Sequence, residues 1–107
     1  MRITSVELQS IIRAINNHLT LTQAQLRLYG SRVRDEARGG DIDLLLVVSN
    51  ETQYQAFIQS KVSLLAEMKT LLGDQKIDFT AVKRDKITED PFIHLIFDGS
   101  VIIHQWP

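Results

Sequence analysis

The chain has 107 residues, of which 44% are hydrophobic and 23% charged, with a net charge of −1 at pH 7 and no cysteine. These values predict one globular domain over residues 1–107 and exclude disulfides and thiolate zinc sites, and the balanced charge gives no indication of a nucleic-acid partner. No segment approaches the roughly 20 apolar residues of a membrane span, and the start lacks the apolar region of a signal peptide, so we expect a cytoplasmic protein without membrane contact.

The first predicted element is a helix near the start of the chain. Its apolar residues recur at helical spacing: Leu8, Ile11, Ile12, Ile15 and Leu19. Thr4 and Glu7 match a capping box, which supplies acceptors to the backbone amides at a helix start. A short strand over residues 26–29 follows and ends at Gly30. The polar stretch over residues 31–40 has room for little more than a helical turn.

The second half of the chain alternates strands and helices. Leu44 to Val48 is continuously apolar, the pattern of a strand that is covered on both faces. A long helix begins after Ser49 and Asn50 and ends at Gly73, where a C-terminal glycine is favoured. Its predicted inward stripe is Tyr54, Phe57, Ile58, Leu65, Met68 and Leu72.

Three more elements follow the long helix. Residues 76–82 alternate as a strand, with Ile77 and Phe79 on one face and Asp78 on the other. Asp90 and Pro91 start a short helix that runs to about residue 98, and residues 101–105 form a last strand. The order predicts an α/β (α+β) fold, a small mixed sheet with helices packed on it. The connection between the first two strands predicts an antiparallel pair or a tight one-turn link.

Three aspartates carry the strongest chemical signal. Asp41 and Asp43 are two residues apart, so on a strand their side chains project to the same face. Asp78 lies on the polar face of a strand that could neighbour them. Close carboxylates repel one another unless a cation neutralises them, and oxygen ligands select Mg²⁺ or Mn²⁺ over Zn²⁺. We therefore predict a metal site formed by Asp41, Asp43 and Asp78, suited to phosphoryl-type chemistry.

Phosphate-binding features lie just before these aspartates. Gly30 and Ser31 end a strand, where backbone amides can form an anion-binding nest. Arg32 follows at once and is the arginine we expect to contact phosphate, ahead of Arg34 and Arg38. The predicted phosphate-binding residues are Gly30, Ser31 and Arg32.

The stretch LYGSRVRDEARGGDIDLLLVV resembles the signature of the minimal nucleotidyltransferases of the DNA polymerase beta superfamily. In that signature Gly-Ser and an Arg-rich turn precede Asp-x-Asp, and a later strand carries one more acidic residue. The resemblance implies the polymerase-beta-like nucleotidyltransferase fold. It also implies transfer of a nucleoside monophosphate, with AMP from ATP as the leading case, to a hydroxyl group with release of pyrophosphate. Asp41 and Asp43 would hold metals on the triphosphate, and Asp78 would help to activate the acceptor.

The small size implies that the acceptor is a separate molecule. Small members of this group resemble the antitoxins of toxin–antitoxin pairs, whose partner is a helical HEPN-domain ribonuclease that receives AMP on a tyrosine. We expect such a partner to be encoded nearby, and both a homodimer and a hetero-oligomer stay open. Two alternatives also stay open: an antitoxin that acts by occlusion without catalysis, and nucleotidyl transfer to a small molecule.

Overall fold

The computed structural model describes residues 2–33, 41–73 and 75–107. Its helices are α1 (Ser5–His18), α2 (Glu51–Leu72) and α3 (Pro91–Asp98), and its strands are β1 (Ala24–Tyr29), β2 (Ile42–Val48), β3 (Ile77–Lys83) and β4 (Val101–Trp106). Two 3-10 helices span Gly30–Val33 and Arg84–Glu89. The predicted order of helices and strands is confirmed. The 3-10 helix between β3 and α3 is an addition that no apolar period in the sequence marks.

The helix boundaries follow from capping chemistry. Thr4 and Glu7 form both halves of the capping box, with Glu7 N–H donating to Thr4 Oγ1 at 3.0 Å. The Asn50 side chain accepts from the first turn of α2, and Asp90 accepts from the first turn of α3. Gly73, with φ of 83°, ends α2 in a conformation that favours glycine. These short-range signals were all readable in the sequence.

The four strands form one mixed sheet in the order β3-β2-β1-β4. β1 pairs antiparallel with both β2 and β4, which confirms the predicted antiparallel pair. β2 and β3 are parallel, because α2 carries the chain back to the same end of the sheet. β3 and β4 are therefore the two edge strands.

The sheet separates a large core from a small one. The large core lies between the sheet and helices α1 and α2, and its strand residues include Leu44, Leu46 and Phe79. The small core lies under α3 on the opposite face and contains Leu45, Val47, Val82 and Ile93. β2 is thus covered on both faces, as its apolar run predicts. Within the described residues, no helix is both long enough and apolar enough to span a membrane.

The predicted inward stripe of α2 is wrong at one position. Ile58 is 49% exposed, whereas the fully buried positions include Phe57, Leu64 and Met68. These three residues are spaced by seven and four, so they lie on one line of the helix surface. Ile58 lies about 100° from Phe57 and falls outside that line. Its apolar character alone suggested burial.

Candidate active site

Two of the predicted carboxylates lie side by side at the start of the parallel strand pair. Asp43 of β2 and Asp78 of β3 are register partners, so their backbones are about 4.8 Å apart. The pKa of Asp43 is raised by burial, by a hydrogen bond with Asp78 and by the negative charges of Asp78 and Asp41, against a smaller opposing effect of Lys76. The site therefore disfavours ionisation of Asp43.

Strand alternation places this pair on the sheet face that also carries α3. Ile42 and Leu44, which flank Asp43, are fully buried in the large core. Ile77 and Phe79 flank Asp78 and are buried in the same core. The two aspartates therefore point to the opposite face, beyond the part that the small core covers. The pair is fixed by four apolar neighbours that cannot turn outwards without losing their burial.

Asp41 lies one residue before β2 rather than within it, because the strand begins at Ile42. The Ile42 N–H donates to the Lys76 carbonyl at 2.9 Å, so the chain at Asp41 is tied to the start of β3. Asp41 is near enough to raise the pKa of Asp43 through its charge. In the described ranges, no three acidic or histidine side chains stand close enough together to hold a metal ion. Convergence of all three aspartates on a metal therefore stays a prediction.

The donor chemistry of the group still fits a hard divalent cation. Asp43 and Asp78 present only oxygen ligands, and a third carboxylate lies within electrostatic range. Oxygen ligands of this kind are those that Mg²⁺ and Mn²⁺ prefer. A cation would also remove the repulsion that raises the pKa of Asp43.

Gly30 lies directly against the carboxylate of Asp43. Its φ of 76° is in the left-handed region, where L side chains are strained. A Cβ built on Gly30 would overlap Asp43 Oδ2 and would lie 3.1 Å from Asp43 Cγ. Only glycine therefore allows the first 3-10 helix to begin where it does while the carboxylate keeps its place. The structure brings Gly30 and Asp43 together, as the sequence motif suggests.

Ser31 and Arg32 occupy the first 3-10 helix. The Arg32 guanidinium donates to Glu7 Oε2 at 3.3 Å, to Gln75 Oε1 at 2.5 Å and to the Arg2 carbonyl at 2.9 Å. These contacts tie the 3-10 helix to the start of α1 and to the loop before β3. Phosphate contacts of Gly30, Ser31 and Arg32 stay predictions, and Arg34 and Arg38 lie outside the described residues.

Residues 8–100 match the family model described as the nucleotidyltransferase domain. The chain belongs to the nucleotidyltransferase domain family. The matched range contains Gly30, the three aspartates and the strands β1, β2 and β3, and it ends one residue before β4. The mixed α/β fold, with helices on a four-stranded sheet, is consistent with a polymerase-beta-like nucleotidyltransferase. No curated protein sequence matches the chain.

Sequence reasoning missed two polar residues of this nucleotidyltransferase domain. Tyr29 is the register partner of Asp43 on β1. Burial and the charges of Asp43 and Asp78 raise the pKa of its hydroxyl, and a hydrogen bond with Thr80 opposes the rise. Thr80 follows Asp78 on the same strand face. The available signal was the strand period, since Tyr29 directly precedes the Gly-Ser pair and Thr80 is two residues after an aspartate.

Proposed function

We propose that this nucleotidyltransferase domain transfers AMP from ATP to a hydroxyl group on a separate protein. The observation that carries the proposal is the pairing of Asp43 with Asp78 beside Gly30, inside the range that matches the family. A carboxylate pair next to a glycine turn can serve a triphosphate on one side and an acceptor on the other. General nucleotidyl transfer follows from the family, and the donor, metal and acceptor are parts of the proposal.

The strand order suggests which residues bind the phosphates and which bind the metal. Gly30 and Ser31 follow β1 and would seat the phosphates through backbone amides. Asp41, Asp43 and Asp78 would hold Mg²⁺ or Mn²⁺, which supplies neutralisation of the triphosphate and polarisation of the α-phosphate when it is bound. Arg32 would reach phosphate only by exchanging part of its contact with Glu7 and Gln75.

The reaction is a substitution at the α-phosphorus. The acceptor oxygen forms a bond to this atom, the bond between the α-phosphorus and its bridging oxygen breaks, and pyrophosphate leaves with the electron pair. Asp78 takes the proton of the acceptor hydroxyl as general base. Asp78 suits this role because it is exposed and lies on β3, the edge strand among the three strands that form the site.

The proposed acceptor is a tyrosine of a HEPN-domain toxin, which AMP transfer would neutralise. The support is the resemblance of the Gly-Ser to Asp-x-Asp stretch to the antitoxins of such pairs. A protein acceptor also agrees with the exposed position of Asp78, which a second protein can approach from the edge of the sheet. Occlusion of the partner without catalysis would not need this carboxylate pair.

The test is transfer of label from α-phosphate-labelled ATP, with Mg²⁺, to a co-expressed partner or to proteins of a cell extract. We expect a labelled band with the wild type and none with the Asp41→Asn/Asp43→Asn double variant or with Asp78→Asn. Asp85→Asn makes the same change at an exposed position outside the site and should leave the label unchanged.

Two results would contradict the proposal. Equal labelling by the wild type and by Asp78→Asn would show that Asp78 is not needed for catalysis. Suppression of a partner's toxicity by the folded double variant, with no nucleotide adduct by mass spectrometry, would favour occlusion.

A further inference from the structure

A cavity of about 430 Å³ opens beside the outer edge of β3. It lies between β3, the second 3-10 helix, the start of α3 and the first turns of α2. Its inner lining is formed by Tyr54, Thr80, Val82 and Ile93. Val82 and Ile93 are 7% exposed, so its floor is a well-packed apolar surface. Its volume is within the range of sites that hold a small ligand or one large side chain.

Thr80 is the lining residue nearest to the carboxylate pair along β3. Thr80 lines the cavity, lies two residues after Asp78 and projects to the same face of β3. Alternate residues of a strand are about 6.5 Å apart, so a ring resting beside Thr80 can place a hydroxyl group near Asp78.

The cavity lies on the side of the site opposite to the glycine turn. Gly30 follows β1, Asp43 is on β2 and Asp78 is on the edge strand β3. Phosphates seated near Gly30 are therefore separated from the cavity by the width of about two strands, roughly 10 Å. A group entering through the cavity reaches Asp78 first, which is the carboxylate that takes the acceptor proton in the proposed function.

The two lysines at the cavity rim are each paired with a carboxylate. Lys83 Nζ lies 3.0 Å from Glu51 Oε1, and Lys86 Nζ lies 3.4 Å from Glu89 Oε2. The Asp90 carboxylate accepts from the first turn of α3. The rim thus offers no excess of positive charge to a phosphate. Apolar walls, a hydroxyl at the inner end and a rim without excess positive charge suit a neutral aromatic ring that carries a hydroxyl.

We propose that this cavity receives the acceptor side chain, and that the side chain is a tyrosine of a separate protein. The inference deepens the proposed function and rests on it for the direction of transfer. The ring would lie beside Thr80, against the apolar floor, with its hydroxyl directed along β3 towards Asp78. The edge position of β3 leaves room for the backbone of the acceptor outside the cavity.

Binding of N-acetyl-tyrosinamide, followed through the backbone amide signals of the ¹⁵N-labelled protein, tests the proposal without any turnover. We expect shifts at residues 80–83 and 93 and weaker shifts with N-acetyl-phenylalaninamide, which lacks the hydroxyl. Glu89→Trp places a large side chain at the exposed rim and should weaken the binding about tenfold or more, a range that titration resolves. Lys69→Trp, at an exposed site on α2 away from the cavity, should leave it unchanged.

A parallel titration with α,β-methylene-ATP and Mg²⁺ separates the two substrates. Nucleotide binding that Glu89→Trp leaves intact, together with lost tyrosinamide binding, supports the proposal. If the nucleotide instead shifted the amide signals of the cavity residues, and Glu89→Trp lost nucleotide binding, the cavity would be a nucleotide site. The proposal would also be overturned if tyrosinamide shifted no signals at residues 80–83 and 93, or shifted signals only in other parts of the protein. Failure of label transfer with intact tyrosinamide binding would count against the proposed function, not against this cavity.

Discussion

At the scale of single residues, the site depends on one glycine. Gly30 combines a left-handed φ with a backbone so close to Asp43 that no side chain fits. Gly73 has a similar φ of 83°, but a Cβ there would meet nothing within 4 Å. A substitution at Gly73 therefore introduces backbone strain alone, whereas a substitution at Gly30 introduces strain and also crowds the Asp43 carboxylate.

We expect Gly30→Ala to lower nucleotidyl transfer by about 100-fold, because the new methyl group displaces the Asp43 carboxylate that would hold the metal. Both Gly30→Ala and Gly73→Ala should lower the free energy of unfolding by about 1–2 kcal/mol through strain at positive φ. Steady-state transfer assays and urea unfolding of both variants check this. Equal activity of the two alanine variants would show that contact with Asp43 is unimportant.

The Asp43–Asp78 pair predicts a pH-dependent effect on stability. The folded-state pKa of Asp43 is raised, so its ionisation destabilises the fold as pH rises above the unfolded value. In EDTA at pH 7.5, Asp78→Asn should raise the free energy of unfolding by up to about 1 kcal/mol, because it removes the repulsion. Near pH 3 Asp43, whose pKa is raised, is protonated and the gain should vanish. A gain that persists at pH 3, measured by urea unfolding, would point to another cause.

At the scale of elements, Arg32 and Glu7 join α1 to the first 3-10 helix. Their side chains are 11% and 17% exposed, and the pair lies in a network with Gln75. Burial acts to raise the pKa of Glu7, but hydrogen bonds from Thr4 and Gln75 and the charge of Arg32 outweigh it, so the pKa is lowered. This network holds the segment that carries Gly30 and Ser31.

We expect Glu7→Gln to lower the free energy of unfolding by about 1.5–3 kcal/mol at pH 7, the range for hydrogen bonds to a charged group. Because the folded pKa is below the unfolded value of about 4.5, the stabilisation is present above that value and is lost as pH falls through the folded pKa. Urea unfolding at pH 7 and pH 3 should show the difference shrinking. A constant difference would mean that packing, not charge, makes the contribution.

The elements were predictable where the cause is local. The capping residues of all three helices, Gly73 and the apolar run of β2 are short-range signals, and the structure agrees with each. The register of Asp43 with Asp78 spans 35 residues of sequence and depends on how α2 packs. The position of Ile58 and the partners of Arg32 depend on tertiary packing too, and no periodic pattern contains that information.

At the scale of the whole molecule, the substrates should stabilise the fold. A ligand that binds only the folded chain adds about 2.7 kcal/mol at a concentration of 100 Kd. For a chain of this size, this corresponds to a rise in Tm of roughly 10 °C. We expect such a rise with α,β-methylene-ATP and Mg²⁺, and little change when EDTA replaces Mg²⁺.

The Asp41→Asn/Asp43→Asn double variant provides the comparison for this thermal measurement. Without ligand it should unfold at the same temperature as the wild type or slightly above it, because the loss of two charges relieves repulsion. It should gain little from nucleotide and Mg²⁺. Wild-type and double-variant chains that respond alike would show that these aspartates do not hold the metal–nucleotide complex. Differential scanning fluorimetry over a series of ligand concentrations makes the distinction.

The closeness of Asp43 and Asp78 has a consequence for how the pair is kept in evolution. An aspartate codon becomes an asparagine codon through a single transition. At either position that change would relieve repulsion while it removes a proposed metal ligand or the proposed base. Offspring that lose catalysis would therefore fold at least as well as their parent. Selection for a folded chain cannot keep the pair, so the active form persists only in lineages whose survival depends on the chemistry.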